Sequence, residues 1–251
     1  MKIGVFGDSY ADPNPWPETS WIHYLSTEKN IEIQTFAASG TSHWWSYKEF
    51  LNNYTKFDVV IFCHTSHMRW PYLPKEYRGR EWNVGYEGKN ITSDDFQNNI
   101  NRFFDDVFEK PLLEFISSSI LKEVNHLCKR ENIYLINLGM EVDDCGIYQS
   151  SETDFPILTN LNSLSKLERT ILDGKEYNTC ELLSKIKTFD VRANHLSPAN
   201  NRILAKLLHK LINEHTMNLS IDLMSSQTWS MPWEIYDASV DDKFKDVEWW
   251  V

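Results

Sequence analysis

Four short apolar runs constrain this chain more than any other feature: KIGVF (2–6), IEIQTFAA (31–38), FDVVIFC (57–63) and NIYLINLG (132–139). Near-continuous apolar runs of this length, each ending in small or polar residues, read as strands buried on both faces. Such strands occur when helices cover both sides of a parallel sheet. The intervening sequence supplies those helices. Between the third and fourth runs, roughly 95–130, apolar residues recur at helical spacing from Phe103 to Leu127, with Pro111 expected to kink or split the segment. PANNRILAKLLHKLINEH (198–215) is strongly amphipathic and begins with a proline suited to a first turn. Alternating strands and helices predict an α/β fold, with ligands at the carboxyl ends of the strands.

At 251 residues the chain fits one substantial domain, expected over 1–215. Two segments depart from it. Residues 69–95 form a long, aromatic, Pro- and Gly-containing insertion, expected as a loop that walls the carboxyl edge. Residues 216–251 are acidic and Trp-rich without a clear period; wrapping the domain, capping a second subunit and carrying a partner motif all fit this extension.

A net charge of −11, with no Lys/Arg run longer than two, argues against nucleic acid or anionic membrane as partner. Cys63, Cys128, Cys145 and Cys180 are widely spaced and lack metal-ligand patterning, so free thiols in a reducing compartment are expected. No basic-then-apolar leader opens the chain and no stretch approaches 18 apolar residues, which predicts a cytoplasmic protein.

Chemistry concentrates where strands end. The first strand runs into Gly7-Asp8-Ser9, which puts the Ser9 hydroxyl at the carboxyl edge of the sheet. Gly-Asp-Ser is also an ordinary turn, so on its own the triplet reads both as a turn and as a nucleophile site. Nucleophilic catalysis further requires a base within reach and donors aimed at the developing oxyanion. His195, in DVRANHLSPANNRILA ahead of the last domain helix, has the best context of the eight histidines. Donors are available from the N–H groups of Ser9 and Gly40 (AASGTSHWW, after strand two) and from HTSHMRW after strand three.

This set, in this order, resembles the SGNH (GDSL-type) hydrolase family over roughly residues 1–214, most specifically through GDS at the start and NHLSPANNRILA near the end. The resemblance implies a flavodoxin-like three-layer α/β/α sandwich with a mostly parallel central sheet, working without cofactor or metal on an ester substrate. It implies Ser9 as nucleophile, His195 as base, Gly40 as an oxyanion glycine and Asp8 as support for the turn. Two departures stand out. Where the family has an asparagine in its third block, this chain has Cys63-His64-Thr65-Ser66-His67, so Thr65, with Ser66 next, is expected to donate. The aspartate expected three positions before the histidine is Arg192, and Asp190 lies five before it. Asp190 completes a triad if it reaches His195; otherwise a Ser-His dyad remains, and Arg192 is placed to bind an anionic group.

His64 and His67 read as strand-edge polar residues within reach of substrate rather than as a metal pair. Trp44, Trp45, Trp70 and Trp82 fit either packing or stacking on sugar and aryl groups, and the latter would suit a small acyl group on a carbohydrate-like carrier. Three functions follow: ester hydrolysis, acyl transfer from the same acyl-enzyme, or binding by a site that has lost its chemistry. A homo-oligomer formed through the C-terminal extension is compatible with each.

Overall fold

A computed structural model describes residues 1–13, 17–65, 70–72, 82–84, 110–139, 155, 157–158, 169–172, 175–178, 195–196, 198–214 and 247–249. Its strands are β1 (Lys2–Gly7), β2 (Glu32–Ala37), β3 (Val59–His64), β4 (Trp70–Tyr72), β5 (Trp82–Val84), β6 (Tyr134–Gly139), β7 (Ile157–Leu158), β8 (Arg169–Leu172), β9 (Lys175–Asn178) and β10 (Val247–Trp249). Its α-helices are α1 (Trp21–Ser26), α2 (His43–Asn53), α3 (Lys110–Arg130) and α4 (Pro198–Glu214).

The four apolar runs form β1, β2, β3 and β6. With β7 they make a five-stranded sheet in the order β2-β1-β3-β6-β7, and every pairing is parallel. Counted along this sheet alone the order is 2-1-3-4-5, the flavodoxin-like arrangement, whose switch point lies between the carboxyl ends of β1 and β3. Helices α2 and α3 pack together, as do α1 and α4, giving the α/β/α layering.

Side chains of β1, β3 and β6 are buried on both faces because a helix layer covers each one. Under α2, Phe6 stacks on Phe36 at 5.1 Å and meets Phe50 edge-on at 5.5 Å, and Phe50 in turn meets Phe62 at 5.8 Å. Each buried ring contributes about 1.5–3 kcal/mol by leaving water. On the opposite face β1 lies close to β3: a Cβ added at Gly7 would stand 2.6 Å from the Cys63 Cβ.

Local signals set the helix ends. Ser20 accepts from the His23 N–H and caps α1, and Ser42 accepts from the Trp45 N–H and caps α2. Pro111 lies in the first turn of α3, where its missing N–H has no helical partner to lose; residues 95–109, on which the expected kink or split depends, lie outside the described residues. Asn132, at φ 56°, closes α3 with a left-handed residue. The Ile133 N–H bonds the Cys128 carbonyl (2.9 Å) and the Asn132 N–H bonds the Lys129 carbonyl (3.2 Å), which turns the chain directly into β6.

Two expectations change. The insertion at 69–95 is not wholly loop: β4 and β5 pair antiparallel within it, with Tyr72 opposite Trp82. Pro71 is tolerated there because a two-stranded ribbon leaves an edge free. The C-terminal extension also contains a strand: β10 pairs antiparallel with β8, which pairs with β9, in a separate three-stranded sheet. These strands escaped the apolar-run criterion because they are three or four residues long and mixed in polarity. Among the described residues no helix is long and apolar enough to cross a membrane.

Candidate active site

The Gly-Asp-Ser triplet ends β1 in a tight turn, closed by an Ala11 N–H bond to the Asp8 carbonyl at 3.0 Å. Asp8 is fully buried and uses both carboxylate oxygens locally. Oδ1 accepts from the Tyr10 N–H (3.1 Å), and Oδ2 accepts from the Thr65 hydroxyl (2.5 Å). The first bond shapes the turn that carries Ser9; the second ties that turn to the residue following β3. Ser9 sits on this turn with 7% of its surface exposed.

Thr65 therefore departs from its expected part. A hydroxyl donates one hydrogen bond, and here that proton points at Asp8 rather than toward an oxyanion. Its effect is to lock the ends of β1 and β3 together at the switch point.

The loop after β2 is fastened to the same turn. Ser39 donates to Asp12 Oδ2 through its N–H (2.9 Å) and its hydroxyl (3.0 Å). Thr41 Oγ1 lies 2.8 Å from the Ala38 carbonyl and 3.5 Å from the Gly7 carbonyl. Between them Gly40 adopts φ +80°, a backbone conformation that favours glycine, and nothing lies within 4 Å of where a Cβ would stand. Backbone conformation, not crowding, selects glycine at this position.

His195 arrives from the other end of the chain. It is 5% exposed, and its ring stacks on Tyr10, the residue after Ser9, with centroids 4.7 Å apart and planes within 8°. Two residues that the sequence reading did not single out hold this junction. The Trp21 indole N–H donates to the Tyr10 carbonyl (2.9 Å). Asn201, on α4, accepts from the Trp21 backbone N–H (3.1 Å) and donates to the Leu196 carbonyl (3.4 Å). One amide thereby connects α1 to the segment that carries His195, and only its position near the start of α4 hinted at this use.

A buried polar chain runs behind these loops. Asn137 Oδ1 accepts from His64 Nε2 (2.9 Å), so a neutral His64 presents Nδ1 as an acceptor. His43 Nε2 donates to that atom (2.8 Å), leaving its own Nδ1 to accept from the Ser117 hydroxyl (3.2 Å). At the other end Asn137 donates to Asn125 Oδ1 (3.4 Å), and Asn125 donates to the Leu121 carbonyl (2.7 Å). Ser117, Leu121 and Asn125 succeed one another at four-residue spacing on α3, so the chain leaves and rejoins a single helix face. Burial pushes the His64 pKa down to about 4, against a smaller upward pull from its bond to Asn137. The expectation that His64 contacts substrate is corrected: it is fully buried and both ring nitrogens have protein partners.

Trp44 is 42% exposed and tilts against Tyr47 at 5.6 Å. Ser66, His67, Asp190 and Arg192 lie outside the described residues, as do Cys145 and Cys180. Cys63 and Cys128 are free and buried. Desolvation raises both thiols, Cys63 further through the nearby Asp8 carboxylate and Cys128 to about 12. Among the described residues no cluster of His, Cys, Asp and Glu suits a metal ion.

No family model and no curated protein matches the chain. Solved structures to which it is similar include an acetyl xylan esterase, AlAXEase, with a TM-score of 0.48 and 11% identity over 84% of this chain and 100% of that one. A member of the lipolytic G-D-S-L family from Veillonella parvula gives 0.45 and 10% over 85% and 98%. A variant of an acetyl-xylooligosaccharide esterase from Geobacillus gives 0.44 and 14% over 84% and 93%.

Proposed function

We propose that this chain is a serine hydrolase of SGNH (GDSL) type that cleaves an ester, with Ser9 as nucleophile and His195 as general base. The observation that carries the reading is the convergence at the sheet's switch point: Ser9 on a carboxylate-braced turn, the Gly40 loop bonded to that turn, and His195 stacked on the next residue, Tyr10.

In this mechanism Ser9 Oγ attacks the ester carbonyl carbon while His195 accepts the hydroxyl proton. The N–H groups of Ser9 and Gly40 stabilise the oxyanion. Collapse expels the alcohol, which takes the proton back from His195. Water, deprotonated by His195, then attacks the acyl-enzyme and releases the carboxylic acid and a regenerated Ser9. Asp190 would orient the imidazole as a triad, and Arg192 would meet an anionic part of the substrate. A small acyl group on a carbohydrate-like carrier suits the exposed Trp44 beside the Gly40 loop.

The test is labelling with a fluorophosphonate serine probe alongside hydrolysis of acetyl esters by wild type, Ser9→Ala and His195→Ala. Each variant is expected to lose probe labelling and to lower kcat by about 10⁴-fold or more. Turnover that survives Ser9→Ala would overturn the assignment. A wild type that neither labels nor hydrolyses would leave the binding reading.

A further inference from the structure

The residues that link the two loops beside Ser9 belong to neither loop's presumed chemistry. His43 is the first residue of α2, three positions after Gly40, and His64 is the last residue of β3, directly before Thr65. Ser39 and Thr41 fasten the Gly40 loop to the β1 end and the turn after it; the 2.8 Å bond between His43 and His64 fastens it to β3. We propose that this hydrogen bond is a strut fixing the separation of the two loops, which makes His43 and His64 positioning residues for the reaction at Ser9. The inference rests on the serine-hydrolase reading above.

The pair suits a strut because it admits one geometry. His43 is 3% exposed and His64 is fully buried, so a broken bond would strand polar nitrogens away from water at about 1–3 kcal/mol each. Two apolar side chains would pack equally well across a range of offsets, whereas this bond is directional. Both rings are also held at their far nitrogens, by Ser117 and by Asn137. The precision matters because oxyanion donors act only within about 2.7–3.1 Å of the developing charge. A displacement of about 1 Å at the reacting centre costs on the order of 10²-fold in rate.

Two polar substitutions separate the strut from general packing. In His43→Gln the amide nitrogen reaches about as far as Nε2 and keeps the donor to His64. His43→Asn reaches only as far as Nδ1, so it keeps the Ser117 side and loses the strut. The expected result is a kcat lowered by about tenfold to a hundredfold in His43→Asn with KM near wild type, and near-wild-type kinetics in His43→Gln. Equal losses in both variants, or none in His43→Asn, would overturn the proposal.

If wild type shows neither turnover nor probe labelling, the hydrolase reading fails, and amide hydrogen exchange over 38–42 and 64–65 decides the strut separately. Faster exchange in His43→Asn than in His43→Gln supports it, and equal rates refute it. The unsubstituted protein supplies an independent readout: ¹⁵N spectra should show both imidazoles neutral with the proton on Nε2 near neutral pH. A proton on both His43 Nε2 and His64 Nδ1, or on neither, would refute the strut even where a variant fails to fold.

Discussion

Acidification should destabilise this protein through His64 in a way that one substitution can isolate. In an unfolded chain a histidine takes up a proton as the pH falls through about 6.5. Folded His64 resists until about pH 4, because burial makes charging the ring costly and its bond to Asn137 offsets only part of that cost. Its hydrogen-bond partners include His43 on α2 and Asn137 on β6, neither of them anionic. Between those two values the unfolded state holds more protons than the folded one, so stability falls as the pH falls. Above about 6.5 the contribution is complete, and below about 4 no more is lost. At about 1.36 kcal/mol per pH unit across that window, the loss is about 3 kcal/mol, a large share of the roughly 5–15 kcal/mol that holds a domain folded.

Urea unfolding of wild type and His64→Asn at a series of pH values measures this directly. The substitution removes the titrating group, so the stability gap between the two proteins should narrow by about 3 kcal/mol from neutral pH to about pH 4. Carboxylates titrate in the same range, but they do so in both proteins and cancel in the difference. The starting gap at neutral pH reflects lost packing and hydrogen bonds and has no part in the test. Parallel stability–pH curves would refute the reasoning, since a His64 that titrates alike in both states contributes no slope.

Gly40→Ala should lower stability by about 1–2 kcal/mol, read as a drop in urea midpoint, because φ +80° disfavours a Cβ although space for one exists. A neutral result would mean that the loop shifts freely. Asn201→Leu leaves the buried Trp21 N–H without its acceptor and should destabilise by about 1–3 kcal/mol, with a fall in kcat because the segment carrying His195 loses its tie to α1; urea unfolding and steady-state kinetics check both. Cys63 and Cys128 should resist iodoacetamide at about pH 8 in the folded protein and react in urea, as peptide mass spectrometry would show, because burial raises both thiols.

The parts of the molecule legible in the sequence were those encoded by contiguous residues. KIGVF and FDVVIFC announced buried parallel strands because burial on both faces leaves a compositional mark, and PANNRILAKLLHKLINEH announced its helix by period. The short strands β8, β9 and β10 left no such mark, since a three- or four-residue strand in a small sheet needs neither alternation nor a long apolar run. Candidate site residues followed the same division. Ser9, Gly40 and His195 stand in short recognisable contexts at element ends. Asn201, Trp21 and His43 act through bonds to residues 180, 11 and 21 positions away, and local sequence carries no trace of such pairings.

Gly-Asp-Ser forms a turn, and that turn is compatible with the nucleophile reading. Asp8 makes an ordinary turn through the Tyr10 N–H, which would suffice to reverse the chain. An ordinary turn has no need of the second carboxylate oxygen, yet here that oxygen takes the Thr65 hydroxyl from across the sheet. Its burial would be costly without that partner, so turn and β3 end hold each other in register. Gly7 lets the strands close: its missing Cβ is what allows β1 to approach Cys63, one position from His64. A strand end fixed from both sides is a rigid platform, and rigid platforms are where a nucleophile can meet its base and donors without reorganising. The Thr65 hydroxyl serves that rigidity at the expense of donating to substrate. On the hydrolase reading the oxyanion then rests on backbone N–H groups, whose placement depends on how firmly the Gly40 loop and β3 are held together.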